Sequence, residues 1–343
     1  NLQYQHKGLT FRNQMTTTLV NSQESPYGTF ADYVRMNPYD TYLDENGNIG
    51  MNMATWHSGS PYRNPMYDAT LGSFDKGKRH EFYDQFDVRY YLNKKINFKA
   101  DITLGYIVSD SDRFTDPAAA RFQNTEKKGQ LVTSRQKQSS YDFNLKGYYN
   151  DQIGRHNINF VVGLNIREEK TNYEGFTYSG FPEGGFSAPG YAKDIDTKSF
   201  IEGKNRLFGA LAVLNYSYND VIFGDLSGRI DGSSQFGSNK RFAPFFSTGA
   251  GVNIHNLKFF KENTPWLTQF KLRGTYGMTG KVSFPSYAAQ NKYEMFTDWQ
   301  YPTGDGVQIM YLGNPNLKWE RTLQTDLGFE FEILNGLFYA KYN

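Results

Sequence analysis

The sequence contains no cysteine among its 343 residues, which excludes disulfide scaffolds, thiolate metal sites and cysteine nucleophiles. No run approaches the ~18 consecutive apolar residues that a membrane-spanning helix requires. Mean hydropathy is low, at −0.67. A strong charge of one sign is also missing, because the net charge is +2. Composition therefore gives no electrostatic support for nucleic-acid binding.

Motifs for catalysis and cofactor binding are absent or incomplete. Near Gly280 and Lys281 a phosphate-loop pattern fails, because the first glycine is displaced and Val282 replaces the hydroxyl that binds Mg²⁺. The five histidines show no i, i+4 metal spacing. The acidic turn at residues 44–48 lacks the twelfth-position glutamate of a calcium loop, so a plain Asn-Gly turn is favoured. We therefore expect no enzyme activity, no cofactor and no metal site.

Alternation of apolar and polar side chains is the main pattern that is present. Between Ile96 and Ser109 apolar residues occupy the even positions and mostly polar residues the odd ones. Only a strand has this period of two. Its length of about 13 residues exceeds the ~5–6 of a soluble strand and suits a tilted strand that crosses a bilayer. Similar patterns predict strands at residues 9–20, 82–91, 96–109, 140–150, 157–168, 206–218, 220–231, 245–255, 267–278, 318–334 and 337–343.

The connections between these segments are alternately short and long. Short connections are predicted at residues 92–95, 150–156, 218–220 and 335–336, with a somewhat longer one at 256–266; long ones are predicted at 21–81, 110–139, 169–205, 232–244 and 279–317. In a meander every second connection lies at the same end, so the long loops would share one side. Sandwiches have no reason to separate their loops in this way.

The sequence thus predicts an all-β protein, an antiparallel up-and-down transmembrane β-barrel. The apolar face of such a barrel contacts lipid and its polar face lines a lumen. Aromatic content of 17% is high, and four tyrosines near strand ends are placed where an interfacial girdle would put them. These are Tyr90, Tyr149, Tyr216 and Tyr218.

Aromatic residues in the long loops are the candidates for ligand contact. They stand beside Asn, Asp and Gly, a mixture that suits stacking on sugar rings or gripping a peptide. The candidates are Trp56, Tyr62, Tyr178, Tyr191, Trp299 and Tyr301. The alternative is that the loops pack on each other and close the mouth of the barrel. Loop packing is the favoured interpretation, because exposed aromatic clusters in loops often find partners.

Four motifs follow one another along the chain: residues 25–28 (SPYG) with residues 37–39 (NPY), residues 229–237 (RIDGSSQFG), residues 272–280 (LRGTYGMTG) and residues 312–320 (LGNPNLKWE). Together they resemble the SusC/RagA-like TonB-dependent outer-membrane transporters. The chain departs from the family at residues 245–247, which read FFS instead of FPS, and at Val252, where the family has tryptophan. The packing of that strand is therefore not transferred from the family.

The resemblance implies a plugged barrel of 22 strands, of which this chain would supply about 11 consecutive ones. Residues 1–343 would be a partial barrel domain and an internal piece of a longer protein, without the plug, the N-terminal extension and the final strands. We expect Arg229, Asp231, Asn314, Trp319 and Glu320 to form a structural rim motif, with Trp319 as an interfacial anchor.

The resemblance also implies function. We expect an importer in the outer membrane of a Gram-negative bacterium, in contact with outer-membrane lipid, taking up an oligosaccharide or an oligopeptide. Its partners would be a SusD-like surface lipoprotein and, through parts outside this chain, TonB-ExbB-ExbD. The alternatives are a passive porin, a surface adhesin, or a soluble all-β carbohydrate-binding protein. A plug with a TonB box in the full gene would discriminate the importer from the porin and the adhesin.

Overall fold

A computed structural model describes residues 1–25, 30–34, 36–54, 63–281 and 284–343. The strands are β1 (Leu2–His6), β2 (Leu9–Glu24), β3 (Thr41–Leu43), β4 (Ile49–Ala54), β5 (Phe74–Tyr91), β6 (Ile96–Thr115), β7 (Gln130–Ile153), β8 (His156–Ser179), β9 (Asp194–Tyr218), β10 (Ile222–Ser233), β11 (Phe242–Asn253), β12 (Leu267–Lys281), β13 (Lys292–Tyr301), β14 (Gly304–Tyr311), β15 (Glu320–Ile333) and β16 (Phe338–Tyr342). The α-helices are α1 (Phe30–Val34), α2 (Pro65–Asp68) and α3 (Lys258–Asn263). None of the helices in the described ranges is long and apolar enough to cross a membrane.

Twelve strands form one antiparallel sheet in the order β1-β2-β5-β6-β7-β8-β9-β10-β11-β12-β15-β16. Two short hairpins, β3-β4 and β13-β14, lie outside this sheet. Every strand predicted from the sequence is part of it, and the all-β up-and-down class is confirmed. The sequence analysis missed β1, because five residues are too few for a periodic pattern. The sheet is open, with β1 and β16 at its two edges.

The connections alternate between the two ends of the sheet, as predicted. One end carries residues 7–8, 92–95, 154–155, 219–221, 254–266 and 334–337, and the other carries residues 25–73, 116–129, 180–193, 234–241 and 282–319. We call them the short-turn end and the long-loop end. One connection at the short-turn end is longer than one at the long-loop end, because residues 254–266 contain α3 and outnumber residues 234–241.

Strand register separates the side chains into an apolar and a polar face. One row across six strands joins Val88, Ala100, Leu145, Leu164, Ala210 and Ile230, all of them apolar. On β8 the apolar band extends from Ile158 to Ile166, and at a tilt of ~35–45° it would be roughly 20–25 Å tall, close to the band of a membrane barrel. Leu104, Leu145 and Leu164 expose 41%, 39% and 42% of their surface on this face.

The polar face is held together by side-chain hydrogen bonds and ion pairs between neighbouring strands. Lys99 Nζ lies 3.5 Å from Asp87 and 3.4 Å from Asp101. Asn144 donates to Asp101 at 2.9 Å, and Asn165 donates to the Asn144 side-chain oxygen at 2.8 Å. Because the polar groups satisfy one another, this face is hydrophilic and internally ordered.

The four tyrosines of the predicted girdle lie on the apolar face at the short-turn end. Tyr90 is opposite Phe98, and Tyr216 is opposite Ile158. Beside them Lys95 Nζ contacts Asp151 at 2.7 Å, and Tyr149 donates a hydrogen bond to the same carboxylate at 2.9 Å. The hydrogen bond to Asp151 raises the pKa of the Lys95 ammonium. This ordered cation and the tyrosines mark the short-turn edge of the apolar band.

Single-cysteine variants of the full-length protein test which end of the sheet faces the outside. The chain has no cysteine of its own, so Glu183→Cys and Asp305→Cys at the long-loop end can be compared with Lys94→Cys at the short-turn end. We expect a membrane-impermeant maleimide added to intact cells to label the first two and not the third, since long loops are extracellular. Labelling of Lys94→Cys alone would reverse the orientation.

The assignment of the two faces is tested by arginine substitutions at adjacent positions. Leu104→Arg places a cation in the apolar band and should cost about 2–4 kcal/mol if the side chain faces lipid. Thr103→Arg is the matched control, because Thr103 lies on the polar face opposite Gln85 and Asp142. We expect only Leu104→Arg to reduce the yield of folded barrel, measured by heat-modifiable migration in gels. Equal tolerance of both changes would contradict the assignment.

Candidate functional site

The long-loop end is organised around a cluster of aromatic rings. Phe236 stacks on Trp319, with ring centroids 4.7 Å apart, and Phe245 meets Trp319 edge to face at 5.5 Å. Phe284 packs on Phe236 at 6.1 Å. Phe236 is only 2% exposed. We call these four residues the rim cluster. It joins the connection at 234–241 to the connection at 282–319.

Polar contacts fasten the same two connections. The Gly237 amide donates to the Leu317 carbonyl at 3.1 Å, and Gln235 Nε2 donates to the Phe284 carbonyl at 2.9 Å. Trp319 Nε1 donates to the Arg241 carbonyl at 3.5 Å. A Cβ added at Gly237 would lie 1.9 Å from the Pro315 oxygen, so this approach requires glycine. Two of the sequence motifs therefore form a single contact.

Arg229 and Asp231 lie on the polar face of β10. Arg229 Nε donates to both carboxylate oxygens of Asp231, at 2.5 and 2.7 Å. On the neighbouring strand Gly209 leaves room for this pair, since a Cβ there would lie 2.6 Å from the guanidinium of Arg229. The two side chains lie against the sheet, and their charges neutralise each other. The structural role expected for both residues stays a prediction.

The other three residues of the expected rim motif lie in or next to the connection 282–319. Asn314 shapes the turn, because its side-chain oxygen accepts from the Asn316 amide at 2.9 Å. Glu320 begins β15 opposite Lys281. Trp319 packs on Phe245, which is opposite Arg229 and therefore on the polar face. The interfacial position expected for Trp319 is not observed, because its ring is taken up by the rim cluster.

Of the aromatic candidates for ligand contact, the three whose side chains are described lie in separate places. Tyr178 lies within β8 instead of a loop, and packs against the buried core of Phe114, Leu131 and Phe181. Tyr191 is 53% exposed, with its ring 5.0 Å from Phe186. Trp56 and Tyr62 lie outside the described residues. Trp299 belongs to β13, but its side chain lies outside the described part. Tyr301 ends β13 and is 62% exposed.

The hairpin β13-β14 lies within residues 279–317, which were predicted to be a loop, and this prediction is wrong for β13 and β14. Tyr293 is opposite Ile309, and Met295 is opposite Val307. These four side chains share one face, which we call the hairpin apolar face, and expose 52% to 65% of their surface. Glu294 is opposite Gln308 on the other face. The alternation on both sides of Pro302 was the pattern that could have revealed this hairpin.

The sequence relationships decide the family. The family model described as TonB dependent receptor-like, beta-barrel, matches residues 7–343. The chain belongs to the TonB-dependent receptor barrel family. It is 25% identical over 334 residues to TonB-dependent receptor SusC of Bacteroides thetaiotaomicron, covering 93% of this chain and 31% of the relative. It is 29% identical over 196 residues to TonB-dependent receptor P3 of Formosa agariphila, covering 54% of this chain and 19% of the relative.

Solved structures show the same fold. The RagAB peptide importer in the 'open-open' state superposes with a TM-score of 0.82 at 20% identity, covering 98% of this chain and 37% of that chain. The RagAB peptide transporter gives a TM-score of 0.80 at 20% identity, covering 98% and 38%. This chain of the TonB-dependent receptor family spans less than a third of the length of the curated relatives it matches. These relatives are receptors and not enzymes.

Among the described residues, no group of His, Asp and Glu is arranged to hold a metal ion. The contacts that the structure describes at the long-loop end are aromatic, apolar and polar ones.

The rim contact is tested by adding one methyl group. Gly237→Ala should force apart residues 237 and 315, at a cost of about 1–3 kcal/mol for an overpacked contact. Gly190→Ala is the control, because a Cβ at this loop glycine would meet nothing within 4 Å. We expect faster amide hydrogen exchange at residues 312–320 in Gly237→Ala only, measured by mass spectrometry on the full-length protein. Unchanged exchange in both variants would show that the two connections are not fastened here.

Proposed function

We propose that this chain forms part of the wall of an active nutrient importer in the outer membrane of a Gram-negative bacterium. The transported solute is a glycan or peptide oligomer, and a SusD-like surface lipoprotein covers the mouth. The observation that carries this proposal is the exposed hairpin apolar face at the long-loop end of a sheet with a membrane-type apolar band. Family membership and the importers among the relatives support it.

The open sheet supports a larger barrel around this chain. β1 and β16 each pair with a single neighbour, and unpaired strand edges are prohibitively costly in lipid. Residues 1–343 are accordingly a partial barrel domain, whose edges pair with further strands of the same protein. Energy from TonB-ExbB-ExbD would enter through other parts of that protein. The exposed apolar band disfavours the soluble carbohydrate-binding alternative, and membership of a receptor family disfavours a porin or an adhesin.

The polar face suits the passage of a hydrophilic oligomer. Several of its charges are paired within the wall, as in Lys99 with Asp87 and Asp101. Paired charges and amides make a wall that hydrogen-bonds water and polar solute groups without a strong field of one sign. Such a wall is compatible with both sugars and peptides.

The hairpin apolar face supports contact with a protein lid. A hairpin of two strands is marginally stable alone, and this one exposes Tyr293 at 60% and Met295 at 65%. Its base is tied, because the Gly313 amide donates to the Asn291 side chain at 2.9 Å. An exposed apolar surface at an extracellular mouth is suited to docking a protein. The lipoprotein is the partner that the family relationship suggests.

Substitutions on the two faces of the hairpin test the lid contact. Tyr293→Ser with Ile309→Ser removes two apolar anchors and should weaken association with the lipoprotein at least about tenfold. Glu294→Ser with Gln308→Ser is the control, because these residues share the opposite face. The measurement is co-purification of the lipoprotein with the full-length importer, together with growth on the cognate nutrient.

A third variant, Trp299→Ala with Tyr301→Ala, separates substrate contact from lid contact. Loss of uptake with normal partner yield would place substrate at the hairpin tip. Full uptake and full partner yield in all three variants would contradict the role proposed for the hairpin.

A further inference from the structure

The apolar band ends abruptly on the long-loop side of β8 and β9. On β9 the apolar face reads Leu214, Ala212, Ala210 and Phe208, and the next two positions on this face are Arg206 and Lys204. On β8 the corresponding change is from Ile166 to Glu168. Cations thus begin at the level where the hydrocarbon of a bilayer would end and its headgroups begin.

A groove of about 470 Å³ lies at this boundary. Its apolar side is formed by Ile166, Phe208 and Phe242, and the rings of Phe208 and Phe242 meet edge to face at 6.3 Å. Gly232 lets the Phe242 ring lie against the strand, because a Cβ there would be 2.5 Å from that ring. The groove is therefore apolar toward the band.

The other side of the groove is cationic, with Lys204, Arg206 and Arg241 in its lining. Glu168 pairs with Lys204 at 2.9 Å and with Arg206 at 2.6 Å, so one carboxylate holds two cations side by side. Arg241 forms no ion pair with any residue in the described ranges. Arg167 also lines the groove and pairs with Glu169, so four cations and two carboxylates leave this side with a positive excess.

We propose that this groove binds a phosphorylated glycolipid of the outer leaflet. Its phosphate would contact Lys204, Arg206 and Arg241, since guanidinium groups match phosphate geometry and lysine adds a point charge. Its acyl chains would lie along Phe208 and Phe242. The inference rests on the outer-membrane location proposed above. It concerns the apolar face, whereas solute passes along the polar face.

The side chains differ between the two ends of the apolar face, and this difference supports a ligand found in one leaflet only. At the short-turn end the face carries tyrosines, and the nearby Lys95 is already occupied by Asp151. At the long-loop end Arg241, which forms no ion pair within the described ranges, lines the same groove as the rings of Phe208 and Phe242. A cation and apolar rings in one groove are the arrangement that an anionic amphiphile requires.

The test uses the full-length protein purified in detergent, with bound lipid measured by native mass spectrometry. The probes are a short-chain lipopolysaccharide, its dephosphorylated form, phosphatidylglycerol and inorganic phosphate. We expect the phosphorylated glycolipid to bind at least about tenfold more tightly than the dephosphorylated form, and inorganic phosphate not to displace it. Equal binding of phosphatidylglycerol would overturn the glycolipid assignment, and displacement by phosphate alone would reduce the site to an anion site.

Charge-reversed variants locate the site. Lys204→Glu with Arg241→Glu should abolish the preference for the phosphorylated form, and the milder Arg241→Gln should reduce it in a protein that keeps the Glu168 pairs. Lys94→Glu with Arg155→Glu at the short-turn end is the charge-matched control and should bind as the unaltered protein does. Unchanged preference in both groove variants would overturn the proposal. Uptake is scored separately, so a failure of the import function leaves the lipid measurement intact.

Discussion

Backbone pairing between neighbouring strands is the constraint on which the rest of this structure depends. Within a bilayer no water is available to backbone amides and carbonyls, so each must bond to an adjacent strand. From β2 to β15 every strand of the sheet is paired on both sides. Pairing fixes register, and register fixes which side chains share a row. A shift of one residue in β6 would exchange Ile102 with Thr103 and bring polar groups into the apolar band.

The rows give the two faces of the sheet different surroundings. Side chains on the polar face bond to one another, as the Arg229-Asp231 ion pair and the Asn144-Asp101 hydrogen bond show. On the apolar face polar pairs lie at the two ends, as in Lys95 with Asp151 and Glu168 with Arg206, and Asn13 donates to Asp84 between them. The rest of this face is completed by its surroundings. At the long-loop end the sheet is followed by the connections. These are held together by the rim cluster, whereas the strands are held together by backbone pairing.

The sequence predicted the central part of each long strand because alternation is strong there. It underestimated β8 and β9 at the long-loop end, since Glu168, Lys170 and Arg206 make the apolar face polar and the period of two disappears. Strands β8 and β9 nevertheless stay paired there, through backbone hydrogen bonds and ion pairs such as Lys170 with Glu202 at 2.7 Å. The hairpin β13-β14 was not predicted, because its alternation is incomplete: Phe296 follows Glu294 by two residues and puts an aromatic side chain where a polar one is expected. Phe236 and Trp319 each lie in a sequence motif. Their stacking joins segments far apart in the chain, so it follows only from the fold.

The base of the hairpin β13-β14 has a mechanical consequence. Its two legs touch at Gly313, where a Cβ would lie 2.3 Å from the Gln290 backbone. Beyond that point one leg is held through Trp319 and the other through Phe284, both in the rim cluster. A force on the hairpin tip would therefore pivot the hairpin about Gly313. The rim cluster would pass that force on to β10 and β11.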